Sequence, residues 1–386
     1  ICSFAFCNSI LKHINFLPDS QLQMIGLCAF GGTQLERILI PSHVKEIDIE
    51  SFSRIPTLKS CEFQSDSELR IIGRESFMYC DSLERFSFPS SVIYIGAYAF
   101  GHCTFQEMLI HSDSKLRVIE PDAFSCASIQ SLFIPQHVTR ISENIFSSSS
   151  IEAIEIPSSV SELKEGWCCR TKELNKVAVN PNNKYFKNYE KFVFRKSNKE
   201  SDEFDVLVFV SRDIQDVIIP SNIKIIGSYA FSTCQIKAIS IPSQVIRIEK
   251  GAFSDCEKLE NVEFSPDSEL ETIESEVFSG TAIKKILIPP HVKRICEHSF
   301  SYCSSIQTIE FPPESELETI ENDAFLDSSI EAIEIPSNVY ELKEGWCSKA
   351  EHLKKVAVNP NNKYFKNYEK FVLGKSNKES DEFDVL

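Results

Sequence analysis

Fourteen cysteines are the residues of this 386-residue chain best equipped for chemistry. Cys80, Cys103, Cys234, Cys256 and Cys303 each stand three residues after a phenylalanine, and Cys126 stands two after one. A thiol can hold zinc, form a disulfide or, with a lowered pKa, act as a nucleophile. Zinc would need its ligands gathered. No Cys-x-x-Cys pairs appear, and Cys168 and Cys169 are merely adjacent. Recurrence at one position of a repeat argues instead for a ladder of buried thiols, each filling a small apolar slot. Disulfides between neighbouring turns, such as Cys80 with Cys103, stay open if the protein meets an oxidising compartment.

Histidines and carboxylates lead to the same place. His43, His137 and His291 all occupy a Pro-x-His-Val corner, separated by whole repeats rather than gathered at one site. No Gly-x-Ser-x-Gly elbow, phosphate-binding loop or His-Glu-x-x-His helix is present. No catalytic, cofactor or metal site is expected, and the chain reads as a non-enzyme. Its net charge of −16 and pI near 5.1 would repel phosphate backbones and anionic lipid heads, so nucleic acid is not an expected partner. The longest apolar run is Val206-Leu207-Val208-Phe209-Val210, a strand rather than a membrane segment.

The elements that must carry these residues repeat. Phe6, Phe30, Phe52, Phe77, Phe100, Phe124 and Phe146 recur every 22 to 25 residues, ending on Trp167. The series resumes with Phe231, Phe253, Phe278, Phe300 and Phe325 and ends on Trp346. Before each lies a strand phrase whose apolar positions alternate: Ile38 and Ile40, Phe86 and Phe88, Ile154 and Ile156, Ile286 and Ile288. A single repeat of this length cannot hide its apolar side chains and is stable only when neighbours cover both faces. The expected fold is therefore a mainly β repeat solenoid: a curved leucine-rich repeat rod of about fifteen short parallel strands, roughly 70 Å long at the usual strand spacing, with an aromatic spine.

Residues 151–207 recur as 330–386, with 47 of 57 positions identical. Each copy leaves the repeat phrase at Asn180-Pro181-Asn182-Asn183-Lys184-Tyr185-Phe186 or its equivalent. Then come Phe192-Val193-Phe194, a charged stretch, and a returning strand from Val206, which together read as a β-hairpin island with a solvated tip. The expected organisation is solenoid over 1–179, island over 180–213, solenoid over 214–358, resuming at Val217-Ile218-Ile219-Pro220, and a truncated second island over 359–386. The chain reads as a fragment that starts inside a repeat and stops inside a strand, with an exposed, poorly ordered end after Phe371.

The phrases Val92-Ile93-Tyr94-Ile95-Gly96-Ala97-Tyr98-Ala99-Phe100-Gly101-His102-Cys103 and Ile225-Ile226-Gly227-Ser228-Tyr229-Ala230-Phe231-Ser232-Thr233-Cys234 resemble the BspA-like class of leucine-rich repeats. The Asn-Pro-Asn-Asn-Lys-Tyr-Phe island is similar to an element of that class. The resemblance covers essentially the whole chain. It implies a surface protein of mucosal bacteria or protozoan parasites, at the cell surface or outside the cell, that adheres to host cell-surface or matrix proteins. A cytoplasmic scaffold of the same architecture is the other reading, favoured by the many thiols and by eighteen asparagines with no Asn-x-Ser/Thr acceptor among them.

Whichever holds, the surface to examine is the open strand face, where solenoids usually present their ligands. The residue between the inward pair of each strand points there. Leu39, Glu62, Leu109, Phe133, Glu155, Ile218, Glu263, Leu287, Glu310 and Glu334 are the candidate protein-binding residues, with Leu109 and Phe133 foremost. Large apolar side chains in such places mark contacts. They also stabilise a sheet through cross-strand pairs, which is the competing explanation.

Overall fold

In a computed structural model, residues 1–17, 19–368 and 371–375 are described. The expected end after Phe371 falls mostly outside them. The chain divides into two units, Ile1–Lys191 and Phe192–Leu386. Each is a stack of parallel coils, and the described residues contain no helix.

One coil contributes two strands. In the first unit the longer ones, Arg37–Ile40, Ser60–Phe63, Arg85–Ser87 and Glu107–Leu109, make one parallel sheet. Two-residue strands from Met24–Ile25 to Val118–Ile119 make a second. The second unit repeats the plan, with Lys285–Leu287, Thr308–Glu310, Ala332–Ile335 and Lys355–Val358 in one sheet. Alternation sets the faces: Arg37 and Leu39 point out while Ile38 and Ile40 are buried.

The third side of each coil is turns, and their handedness is what lets the coils stack. Glu50 and Arg54, two residues either side of Phe52, have φ of 54° and 56°. The same left-handed pair flanks Phe100 at Tyr98 and His102, and Phe231 at Tyr229 and Thr233. Each such residue costs about 1 kcal/mol in an L-amino acid. In return, the N–H groups of Glu50, Phe52 and Arg54 all point along the stack and donate to the carbonyls of Arg74, Ser76 and Met78 at 2.9, 2.8 and 2.7 Å. Ser51 and Ser53, between them, close turns within their own coil. Strain is thus offset by hydrogen bonds between coils.

The aromatic spine follows. Phe6, Phe30, Phe52, Phe77 and Phe100 stack with centroids 5.2 to 5.4 Å apart, and Phe77 and Phe100 are parallel to within 1°. Phe231 to Phe325 do the same in the second unit. The tryptophans depart from expectation. Phe146 and Phe325 donate to the carbonyls of Trp167 and Trp346, as each spine Phe elsewhere donates to the residue just before the next one. The spine positions are therefore Cys168 and Cys347, and Trp346 meets Phe325 edge-on at 87° instead of stacking. A cysteine too small to fill the slot leaves room for the neighbouring indole.

The thiol ladder is present at Cys80, Cys103, Cys234, Cys256 and Cys303, whereas Cys126, one position closer to its phenylalanine, is only half-buried. Cys80, Cys103, Cys256 and Cys303 are buried, and each donates to the carbonyl of a spine phenylalanine one coil back: Phe52, Phe77, Phe231 and Phe278, at 3.0 to 3.1 Å. Burial pushes Cys80 up to about 12 and Cys303 to about 11, with Cys103 and Cys256 also raised. Cys80 and Cys103 are free thiols, not a bridged pair.

The island is built differently from a plain interruption. Val206–Val210 pairs antiparallel with Phe192–Arg195, as the hairpin reading requires, and parallel with Ile225–Ile226. The return strand is thus already the short strand of a coil, with all five residues buried. Residues 217–220 form no strand.

Candidate protein-binding face

The strand face gathers its outward residues in rows because parallel pairing without slippage puts equivalent residues side by side. Leu39 lies opposite Glu62, Ser87 opposite Leu109, and Glu155 opposite Ala178. In the second unit Ser240 lies opposite Glu263, Leu287 opposite Glu310, and Glu334 opposite Ala357. All ten candidate residues face solvent, the five glutamates included. The apolar ones are far from buried: Leu39 is 49% exposed, Leu109 42%, Phe133 45%, Leu287 55% and Ile218 88%.

Two placements differ from the sequence reading. Ile218 sits in the irregular segment before the Ile225–Ile226 strand and not in a ladder. Leu109 and Phe133 come from successive coils, but Glu107–Leu109 and Ser131–Leu132 belong to separate sheets, and Phe133 lies just past its strand. The coils are joined near there by a single-residue bridge, Thr104 to Ser128. A cleft of about 160 Å³ opens between them, lined by Phe105, Met108, Leu109, Ile129 and Ser131.

A second depression, of about 840 Å³, runs over the preceding strands, with Arg37, Lys59, Glu62, Phe63, Arg85 and Ser87 in its walls. Arg85 reaches Glu107 at 4.0 Å, and Ser87 Oγ lies 3.0 Å from His111 Nε2. The first outward residue of each strand therefore shares this face with the central one. Sequence reasoning passed over Arg37 and Arg85, although the same alternation that selects Leu39 selects them. In the second unit the row carries its own partners: Lys285 Nζ lies 2.8 Å from Glu310, and Asn359 Nδ2 donates to Glu334 at 3.3 Å.

The corner histidines repeat one contact. His43 and His291 each place Nδ1 3.1 Å from a glutamate 25 residues on, Glu68 and Glu316. The His43 contact holds the Glu68 carboxyl below its usual range. Among the described residues no group of three or more His, Cys, Asp or Glu could hold a metal ion. The described residues include no helix long and apolar enough to cross a membrane.

The model of the BspA type leucine rich repeat region matches residues 1–70, 70–200, 202–279 and 271–371, in six copies. The chain belongs to the BspA-type leucine-rich repeat family. A leucine-rich repeat protein from Eubacterium ventriosum shares 19% identity over 79% of this chain and 87% of its own, with a TM-score of 0.61. A leucine rich cell surface protein from Faecalibacterium prausnitzii shares 21% identity over 88% of this chain and 83% of its own, with a TM-score of 0.60. These likenesses concern the fold. No curated protein matches the chain. Within the BspA-type plan, the solenoid is fixed by the buried alternation.

Proposed function

We propose that this BspA-type chain is a non-enzymatic module, displayed at a cell surface, that binds host or matrix proteins through its strand face. The observation that carries the reading is the exposure of Leu39 and Leu109 on one sheet, of Phe133 just past a strand of the next, and of Leu287 on a sheet of the second unit, each beside buried neighbours. Solubility alone gives no reason for large apolar groups there, and apolar residues rimmed by charge are what protein contacts use. In the first unit, Leu109 lines the cleft where the ladder is interrupted, together with Glu107, which Arg85 approaches to 4.0 Å. Display at a surface is supported by the likeness to the Faecalibacterium cell surface protein.

Binding of the purified chain to immobilised extracellular-matrix proteins and to cultured epithelial cells, beside the Leu109→Ser/Phe133→Ser double variant, tests this. Affinity should fall at least tenfold in the variant, with thermal unfolding little changed. Equal binding by the two proteins, or collapse of the variant's fold, would return these residues to a sheet-packing role.

A further inference from the structure

The sulfur atoms of Cys7 and Cys28 lie 3.2 Å apart on adjacent coils, and both residues are half-buried, not sealed in the core. The ladder thiols point to carbonyl oxygens, whereas these two point at each other. The cause is a glycine. Cys7 follows the spine residue Phe6, and Gly31 follows Phe30 in the same column of the next coil. A Cβ on Gly31 would stand only 2.5 Å from Cys28 Sγ, so the absent side chain is what lets the Cys28 sulfur swing beneath Cys7. The coils around them are held in register by bonds from Phe4, Phe6 and Asn8 to the carbonyls of Leu27, Ala29 and Gly31, each 2.8 Å long.

We propose that Cys7 and Cys28 are a site of oxidative cross-linking, closing to a disulfide between two coils on contact with a low-molecular-weight disulfide such as oxidised glutathione. Reaching the bonded distance of about 2.0 Å needs little more than side-chain rotation. Cys7 gives its proton to solvent, and its sulfur attacks oxidised glutathione, releasing one glutathione thiolate. Cys28 then loses its proton and displaces the second glutathione thiolate from Cys7. Two protein thiols are oxidised, one glutathione disulfide is reduced, and the two protons end on two glutathione thiols. Burial and the neighbouring Cys7 raise Cys28 to about 11, which disfavours its thiolate as the first attacking group; in the second step its sulfur, already against Cys7, attacks within the molecule. The cross-link would fasten the Phe6 ring over Phe30, now 5.2 Å away.

Trypsin mapping under non-reducing conditions tests this on the full chain carrying Cys2→Ser, which removes the exposed neighbour. After oxidised glutathione and native capping of free thiols, peptides 1–12 and 13–37 should appear joined, about 2 Da lighter than their reduced sum. Cys80 and Cys103 should be capped only after unfolding. Cys28→Ser should leave Cys7 as a mixed glutathione disulfide, and Gly31→Ala should reduce the joined fraction at least tenfold. Recovery of Cys7 and Cys28 as separately capped or glutathionylated residues in the Cys2→Ser chain overturns the proposal, as does Cys7 joined to any other cysteine. An undiminished yield in Gly31→Ala overturns the role given to the glycine.

Discussion

The thiol of Cys80 donates to the carbonyl oxygen of Phe52 at 3.1 Å, across one full coil of the stack. That bond ties a small side chain at one repeat position to the backbone beneath the aromatic spine, and Cys103, Cys256 and Cys303 repeat it. Each thiol therefore does two things at once: it fills volume and satisfies a carbonyl.

Replacing Cys80 with alanine should lower stability by about 1–3 kcal/mol, the range for a small cavity plus a lost hydrogen bond. Denaturant titration followed by circular dichroism measures it. The same burial that pushes the Cys80 thiol to about 12 should keep it unreactive toward Ellman's reagent at pH 8 until the protein unfolds. Rapid native labelling of Cys80 or Cys303 would contradict the ladder.

Phe100 should be the costliest spine residue to truncate. It stacks between Phe77 and Phe124 and also takes the edges of Phe86, Phe88 and Phe105 at 4.8 to 5.9 Å. Phe100→Ala is expected to cost about 3–5 kcal/mol. Phe325→Ala, next to the edge-on Trp346, should cost less. A reversed order in urea midpoints would mean that ring stacking does not govern the spine.

Asn183 is a keystone of the island. Its Nδ2 donates to the carbonyls of Pro157 and Val160, and its Oδ1 accepts from the N–H groups of Tyr185 and Phe186, at 2.7 to 2.9 Å. Asn362 makes the same four bonds with Pro336, Val339, Tyr364 and Phe365. Aspartate keeps the acceptor but loses the donor, so Asn183→Asp should destabilise by about 1–3 kcal/mol, and alanine by at least as much. Amide exchange at Tyr185 and Phe186 should quicken in the alanine variant; unchanged protection would show the side chain to be dispensable.

Asp205 should make the hairpin acid-sensitive. Burial alone would raise its carboxyl, but the N–H and hydroxyl of Ser197 donate to it at 2.9 and 2.7 Å, and with Lys224 nearby the balance falls below the ordinary 3.8. A folded-state value below the unfolded one contributes stability above pH 3.8, and that contribution is lost as pH falls through the lowered value. Asp205→Asn should therefore be most destabilising near neutral pH, with the difference from wild type shrinking as pH falls below 3.8 and through the lowered value. A constant difference between pH 7 and pH 2 would show that charge plays no part.

Much of the fold was legible because burial and periodicity are the same fact seen twice. The pairs Ile38 with Ile40 and Ile286 with Ile288 announce parallel strands, and Phe77 with Phe100 announce the spine. The tryptophans misled because a period locates an aromatic residue only to within one position. Which side chain turns inward depends on the left-handed residues, here Gly166 and Arg170 around Cys168, and Gly345 and Lys349 around Cys347. Likewise 217–220 carries a strand-like pattern yet forms no strand, although the corresponding segment of the next coil, Ala238–Ile241, pairs in parallel with Asn261–Phe264.

By itself, the sequence determined that coils must stack and which side chains they bury, since a repeat of this length has no other way to remove its isoleucines and phenylalanines from water. Only the tertiary structure decided what meets across coils. The sulfur of Cys28 lies against Cys7 because Gly31 leaves space, and the strands of Leu109 and Ser131 part where a ladder might have continued. Contacts between residues more than twenty positions apart depend on the phase of each turn, and phase is set by backbone geometry that residue spacing does not carry.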